Sequence, residues 1–222
     1  MVKTFIITPG IFLGVLFSQT FSESTPVHTY SIVAFDEETG ELGVAVQSHW
    51  FSVGFLVPWA KAGVGAVATQ SFVKVDYGPE GLNRMEHGQS AEEALTSLLA
   101  EDDGEAVRQV AMIDVKGSVA AHTGTKCIYA AGHQIGKNYS VQANLMEKET
   151  VWPSMANAFE RSNGDLAEKM MAALEAAETE GGDIRGKQSA AMLIVSGNPT
   201  GIPWKDVVMD IRVDDHAEPL KE

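Results

Sequence analysis

From Thr29 onward the chain alternates. Thr29, Ser31, Val33 and Phe35 fall on one face of an extended segment, and Tyr30, Ile32 and Ala34 fall on the other. After a turn at Asp36-Glu37-Glu38-Thr39-Gly40 the same two-residue period resumes. Leu42, Val44 and Val46 face one way, and the small Gly43 and Ala45 the other. The closing glycine of the turn supplies the positive φ such a reversal needs. Residues 51–58 read as a loop leading into a short strand, and 64–70 as a strand of mostly small residues. The period then changes. Tyr77-Gly78-Pro79-Glu80 opens a helix that runs to about His87 and stops at Gly88. Ser90-Ala91-Glu92-Glu93 is a capping box for a second helix through Leu95, Leu98 and Leu99. Strands return over 108–115 and 118–122, turning at Lys116-Gly117, and again over 139–144. Helices over 149–161 and 165–178 are joined by Ser162-Asn163-Gly164, and strands over 189–195 and 207–213 close the pattern. Strands that arrive in hairpins and helices that arrive in pairs predict an α+β fold. The expected form is a four-layer αββα sandwich, two antiparallel sheets between helix pairs.

The segment before Thr29 follows different rules. Lys3 precedes an uncharged stretch from Thr4 to Ser22, with Ile11-Phe12-Leu13-Gly14-Val15-Leu16-Phe17 as its apolar body. Charge, apolar stretch and small-residue exit predict a signal peptide over 1–22 and an exported protein, periplasmic or extracellular. A retained anchor is the competing reading. Pro9, Gly10, Ser18, Gln19 and Thr20 dilute the run, so stable membrane insertion is not expected. Residues 23–28 form a polar linker or propeptide, which leaves 29–222 as a single domain.

Hydrophobic residues make up 45% of the chain, enough for a substantial core and against disorder. The net charge of −14 would repel phosphate backbones and anionic lipid, so no nucleic acid partner is expected. Self-association is left open. With one cysteine, Cys127, no intrachain disulfide can form. Its apolar neighbours Ile128, Tyr129 and Ala130 favour a buried, inert thiol.

Thr29 is the sharpest chemical candidate. A freed α-amine has a pKa near 8 and can take the proton of the adjacent hydroxyl, so one residue supplies both nucleophile and base. Thr is also an ordinary strand residue. Asn144, at a strand end, is of a type that can stabilise an oxyanion, or serve simply as a turn residue. Asp183 and Arg185 either brace a loop as an ion pair or hold a substrate carboxylate or amide. Gln70, Gln188 and Ser189 lie at strand ends suited to lining a cleft. His49 stands beside Trp50 and Phe51 at a candidate pocket mouth. His122, His133 and Asp214-Asp215-His216 offer metal-ligand chemistry, yet none has the spacing of a His-Glu-x-x-His pair, so no metal and no cofactor are expected.

Seven segments then resemble a known family. They are Thr29-Tyr30-Ser31-Ile32-Val33-Ala34, Gly40-Glu41-Leu42-Gly43-Val44-Ala45-Val46, Ala62-Gly63-Val64-Gly65-Ala66-Val67-Ala68-Thr69-Gln70, Tyr77-Gly78-Pro79-Glu80-Gly81-Leu82, Ala121-His122-Thr123-Gly124, Gly186-Lys187-Gln188-Ser189-Ala190-Ala191 and Arg212-Val213-Asp214-Asp215-His216. In this order they are similar to an uncharacterised bacterial and archaeal family grouped by fold with the N-terminal nucleophile (Ntn) hydrolases. The resemblance implies the αββα fold and a hydrolase superfamily. On that basis the leading reading is a hydrolase of C–N bonds acting on a small amide or peptide-like substrate, with Thr29, Lys61 and Asn144 as catalytic candidates. Lys61 would bias the proton affinity of Thr29, as a lysine does in proteasome-like relatives, or be a solvated loop residue. His49, Gln70, His122, Asp183, Arg185, Gln188 and Ser189 would line the substrate site. Members without a leader begin at Met-Thr, whereas here Thr29 lies behind 28 residues, so a second cleavage after His28 would be needed. The alternatives are an Ntn-fold binding module without catalysis and, third, a metal-dependent hydrolase using His122 with Asp214, Asp215 and His216.

Overall fold

The computed structural model of the chain describes residues 26–27 and 29–222. The leader expected over 1–22, and the linker over 23–28 apart from Pro26 and Val27, lie outside them. The described residues form a mixed α+β fold of two antiparallel sheets and four helices. One sheet has six strands: β2 (Thr29–Phe35), β3 (Leu42–Ser48), β8 (Gly132–Gly136), β9 (Tyr139–Ala143), β10 (Ser189–Val195) and β11 (Val207–Val213). Their order is β11-β10-β3-β2-β9-β8. The other has five: β1 (Pro26–Val27), β4 (Pro58–Lys61), β5 (Gly65–Phe72), β6 (Arg108–Asp114) and β7 (Val119–Thr123). Here β5, β6 and β7 lie side by side, while β4 and β1 pair with opposite ends of β5. Helices α1 (Tyr77–Glu86) and α2 (Ala91–Ala100) cover the five-stranded sheet, and α3 (Val151–Arg161) and α4 (Leu166–Thr179) the six-stranded one.

The expected strand and helix boundaries hold to within a few residues. Ser90 caps α2 through a reciprocal box with Glu93, and Asp165 caps α4 in the same way with Glu168. Asp36 Oδ1 accepts the Glu38 and Thr39 amides in the β2–β3 turn, and Gly40 closes it at φ +76°. Two strands lie outside the periodicity: β8, which reads Gly-His-Gln-Ile-Gly, and the two-residue β1. Neither carries the alternation of apolar residues that marks the others.

Alternation sorts the core into three layers. Tyr30, Ile32, Ala45 and Val141 pack with Met155, Met170 and Leu174 beneath α3 and α4. Val67, Val110 and Met112 pack with Leu82, Leu95 and Leu98 beneath α1 and α2. Between the sheets lie Val33, Leu42, Val44, Val46, Ala66, Ala68, Ala111 and Ile113. The central strands are therefore buried on both faces, which explains their nearly continuous apolar runs.

A buried carboxylate ties the helical layer to the strand ends. Asp102, after α2, accepts from Tyr77 Oη (3.0 Å), Arg108 Nε (2.9 Å) and the Gly104 amide (3.1 Å), while Arg108 also reaches the Phe72 carbonyl at 2.7 Å. Burial works against its charge, but Arg108 and these donors outweigh it and hold the carboxyl down at about 2. Unfolding returns it to the ordinary value of about 3.9, so the stabilisation is complete above that pH and is lost as the pH falls toward 2. Urea unfolding between pH 5 and 2 is expected to show this loss, and Asp102→Asn is expected to be less stable at pH 5 with a flatter profile. A wild-type pH profile in Asp102→Asn would remove Asp102 from this role.

Candidate active site

The layer between the sheets changes character along its length. Thr29 and Ser31 share the face of Val33, Gln70 that of Ala68, Gln109 that of Ala111, and Ser48 that of Val46. With Ser140 and Gln142 of β9 and the adjoining Asn144, they form a polar end to an otherwise apolar interlayer, and all are buried. Cross-strand register aligns them: Thr29 lies opposite Ser48, which lies opposite Ser189, and in the other sheet Gln70 lies opposite Gln109, which lies opposite Thr123.

These groups satisfy one another. Ser140 Oγ donates to Gln142 Oε1 (3.1 Å), Gln142 Nε2 to Ser31 Oγ (2.6 Å), and Ser31 Oγ to Gln70 Oε1 (2.6 Å). Gln70 Nε2 donates to Gln109 Oε1 at 2.7 Å and to the Thr29 carbonyl at 3.2 Å. Gln109 Nε2 reaches Thr123 Oγ1 (2.9 Å) and the carbonyls of Ala143 (2.9 Å) and Gly132 (3.1 Å). Thr123 Oγ1, which accepts from Gln109, also pairs with His133 Nδ1 at 2.8 Å. Burial, then the proximity of His122, lowers the pKa of His133.

Thr29 is fixed at this polar end. Its Oγ1 donates to Ser48 Oγ at 3.1 Å. Its carbonyl receives the Asn144 amide at 3.0 Å as well as the Gln70 carboxamide, with Asn144 Nδ2 at 3.4 Å. Asn144 Nδ2 also donates to Gln109 Oε1 at 2.9 Å. Both N–H groups of this side chain are therefore engaged, which suits positioning of Thr29 better than holding a substrate oxyanion. Just upstream, Pro26 and Val27 pair with Phe72 and Ser71 at the tip of β5, so the chain crosses from one sheet to the other immediately before Thr29.

Most of the other candidate residues gather at the same end. Asp183 accepts from Arg185 Nη2 (2.6 Å), Nε (3.1 Å) and backbone amide (2.9 Å), and from the His49 amide at 3.4 Å. A bridge from Asp183 to Met146 places that loop beside Asn144. Ser189 Oγ bonds the Trp50 carbonyl and accepts the Val53 amide at 3.0 Å, anchoring the loop that carries His49. Gln188 continues β10 there, its amide donating to the Ser48 carbonyl and its side chain turned to Asp215.

Two candidates lie elsewhere. Lys61 pairs with Gly65 at the start of β5, five residues from Gln70 or roughly 17 Å along the strand. Its ammonium contacts Glu86 at 2.6 Å, so it does not reach Thr29. It lines a cavity of about 850 Å³ at that opposite end, whose polar lining includes Glu86, Asp114 and Asp206. His122 lies opposite Val110 on the helix-facing side of its sheet, where Nε2 meets the Glu105 carbonyl (2.9 Å) and carboxylate (3.2 Å). Asp214-Asp215-His216 follow β11 on the other sheet, and no group of three metal-ligating residues exists among the described residues. Cys127 donates to the Arg108 carbonyl at 3.2 Å, and burial pushes its thiol pKa up.

Ser31, Ser48, Gln109, Gln142, Thr123 and His133 complete the assembly, although the sequence alone does not assign them to the site. For Ser31, Ser48, Gln109 and Thr123 the signal is parity, since each lies two places from an interlayer apolar residue, whereas Gln142 and His133 join through their cross-strand partners Ser31 and Gln142. Replacing Gln109 by the apolar, similarly sized Met is expected to destabilise the fold by roughly 3 kcal/mol, because Gln70, Asn144 and two carbonyls lose partners. A loss under about 0.5 kcal/mol in urea unfolding would contradict the network's role.

The chain matches a family of unknown function (DUF1028) over residues 29–222. Among solved structures it is similar to the crystal structure of protein SPO2555 from Silicibacter pomeroyi, assigned to the same family. The TM-score is 0.79 and the identity 30%, covering 87% of this chain and 82% of that one. No curated protein matches the chain.

Proposed function

The chain belongs to the DUF1028 family, and we propose that it is an exported amidohydrolase of the Ntn type, cleaving a C–N bond in a small amide or peptide-like substrate. The observation that carries this reading is the placement of Thr29. Its hydroxyl meets Ser48 in the polar network between two sheets, at the start of a central strand, and its carbonyl is clamped by Asn144 and Gln70. In this reading, cleavage of the His28–Thr29 bond frees the α-amine. The amine takes the hydroxyl proton as Thr29 Oγ1 attacks the substrate carbonyl carbon. The proton passes to the leaving nitrogen as the C–N bond breaks, and water then hydrolyses the ester on Thr29. Asn144 and Gln70 act as positioning residues. His49, Asp183 and Arg185, at the same end, present the substrate-facing loops.

A second reading rests on a specific observation. Thr29 is fully buried, and Pro26 and Val27 pair with the tip of β5. A chain that keeps this arrangement presents no nucleophile, and would be a binding module on the same fold.

An electrophilic probe separates the two. A β-lactone, which opens on an activated threonine hydroxyl, is expected to add its full mass to the Thr29 peptide of the processed protein. Thr29→Ser should retain the label and Thr29→Ala lose it. Turnover of a small-amide panel is expected to fall by at least ~10³-fold in Thr29→Ala, in keeping with removal of a nucleophile. Equal labelling or turnover in Thr29→Ala would rule the proposal out.

A further inference from the structure

The two outer strands of the six-stranded sheet are treated differently by the sequence. β8 is five residues long and ends in glycine at both sides. β11 is seven residues long, pairs with β10 along one side only, and has no strand on its outer side among the described residues. Open edges are usually blunted by Lys, Pro or a bulge facing outward. β11 contains no Lys and no Pro, and its register shift lies at its beginning, by Val207. Apolar side chains remain exposed along it, including Val208 and Ile211 at more than half of their surface.

The charges on β11 select a partner. Asp210 and Arg212 are its charged residues, joined within the chain by Arg212 Nε to Asp210 Oδ1 at 2.8 Å and half-exposed. When a strand pairs antiparallel with its own copy about a two-fold axis, residue i of one copy faces residue j of the other with a constant sum i + j. An axis through Asp210 would set Asp210 against Asp210. An axis through Arg212 would set Arg212 against Arg212 and Asp210 against Asp214. An axis through Ile211 sets Asp210 opposite Arg212 twice, Ile211 opposite Ile211, and Met209 opposite Val213. Of these three registers, only the last satisfies every charge and places apolar residues together.

We propose that β11 is a homodimer interface, in which two copies pair antiparallel about Ile211 to make one continuous twelve-stranded sheet. Both copies keep the same face toward their helices, because directly opposed residues in an antiparallel pair share a face. The side of β11 that carries Met209, Ile211 and Val213 also lines an apolar groove with Met171 and Leu174 of α4 and with Leu220. In the dimer the two grooves meet at Ile211, so the residues that extend them are supplied by the second copy. The surface selects its own copy because the charge order Asp-Ile-Arg is complementary to itself when reversed.

Sedimentation velocity on the intact protein is expected to give twice the chain mass. Arg212→Glu, which opposes Glu to Asp210 at two places, is expected to weaken the dimer about tenfold or more. The exchange Asp210→Arg with Arg212→Asp restores both pairs and is expected to return the dissociation constant to near the wild-type value. Circular dichroism of each variant checks that its fold is kept. A wild-type protein that sediments as a monomer at every concentration would overturn the proposal, as would a dimer unaffected by Arg212→Glu. An exchange variant no tighter than Arg212→Glu would overturn the register and the assignment with it.

Discussion

Gln109 Oε1 receives Gln70 Nε2 at 2.7 Å and Asn144 Nδ2 at 2.9 Å, two bonds that join at one oxygen between the sheets. Each carboxamide buried there would cost about 1–3 kcal/mol if left without partners, so the group must be closed or absent. It is closed through hydroxyls and carbonyls from both sheets, from Ser140 at one end to His133 at the other. That requirement fixes the register of β2, β5, β6 and β9 relative to one another more tightly than apolar packing can. A one-residue slip in any of these strands would turn its polar residues toward the helices and its apolar ones toward the network.

The same closure gives Thr29 its setting. The three groups that meet its carbonyl come from β5 and from the end of β9, so the first residue of β2 is held from both sheets at once. A strand end would ordinarily fray. Here it is among the most buried positions of the fold. Rigidity of this kind is what a nucleophile needs, since a misplacement of about 1 Å can cost ~10²-fold in rate.

Much of this was legible in the sequence. Alternation located β2, β3, β5, β6, β9, β10 and β11, and capping residues located the start of α2. Thr29, Gln70 and Asn144 stand out in the sequence as polar residues near strand ends, and the fold brings them together between the sheets. Gln109 and Gln142 do not stand out, because a glutamine in a strand reads as solvent-facing until the pairing of the two sheets is known. Lys61 shows the opposite failure. Its short Pro-Trp-Ala-Lys strand pairs with β5, and pairing with Gly65 puts it at the end of the sheet away from Thr29. Position along a chain indicates which strands are neighbours, whereas register decides which ends meet.

The account turns on whether Thr29 becomes the first residue of the working protein. Intact mass and N-terminal sequence of the protein recovered from the extracytoplasmic fraction of its native host measure this directly. The account predicts a chain that begins at Thr29, with its α-amine beside the hydroxyl it activates. A stable chain that begins upstream and retains His28 would contradict it, because the amine would then be locked in a peptide bond and no base would stand beside the threonine.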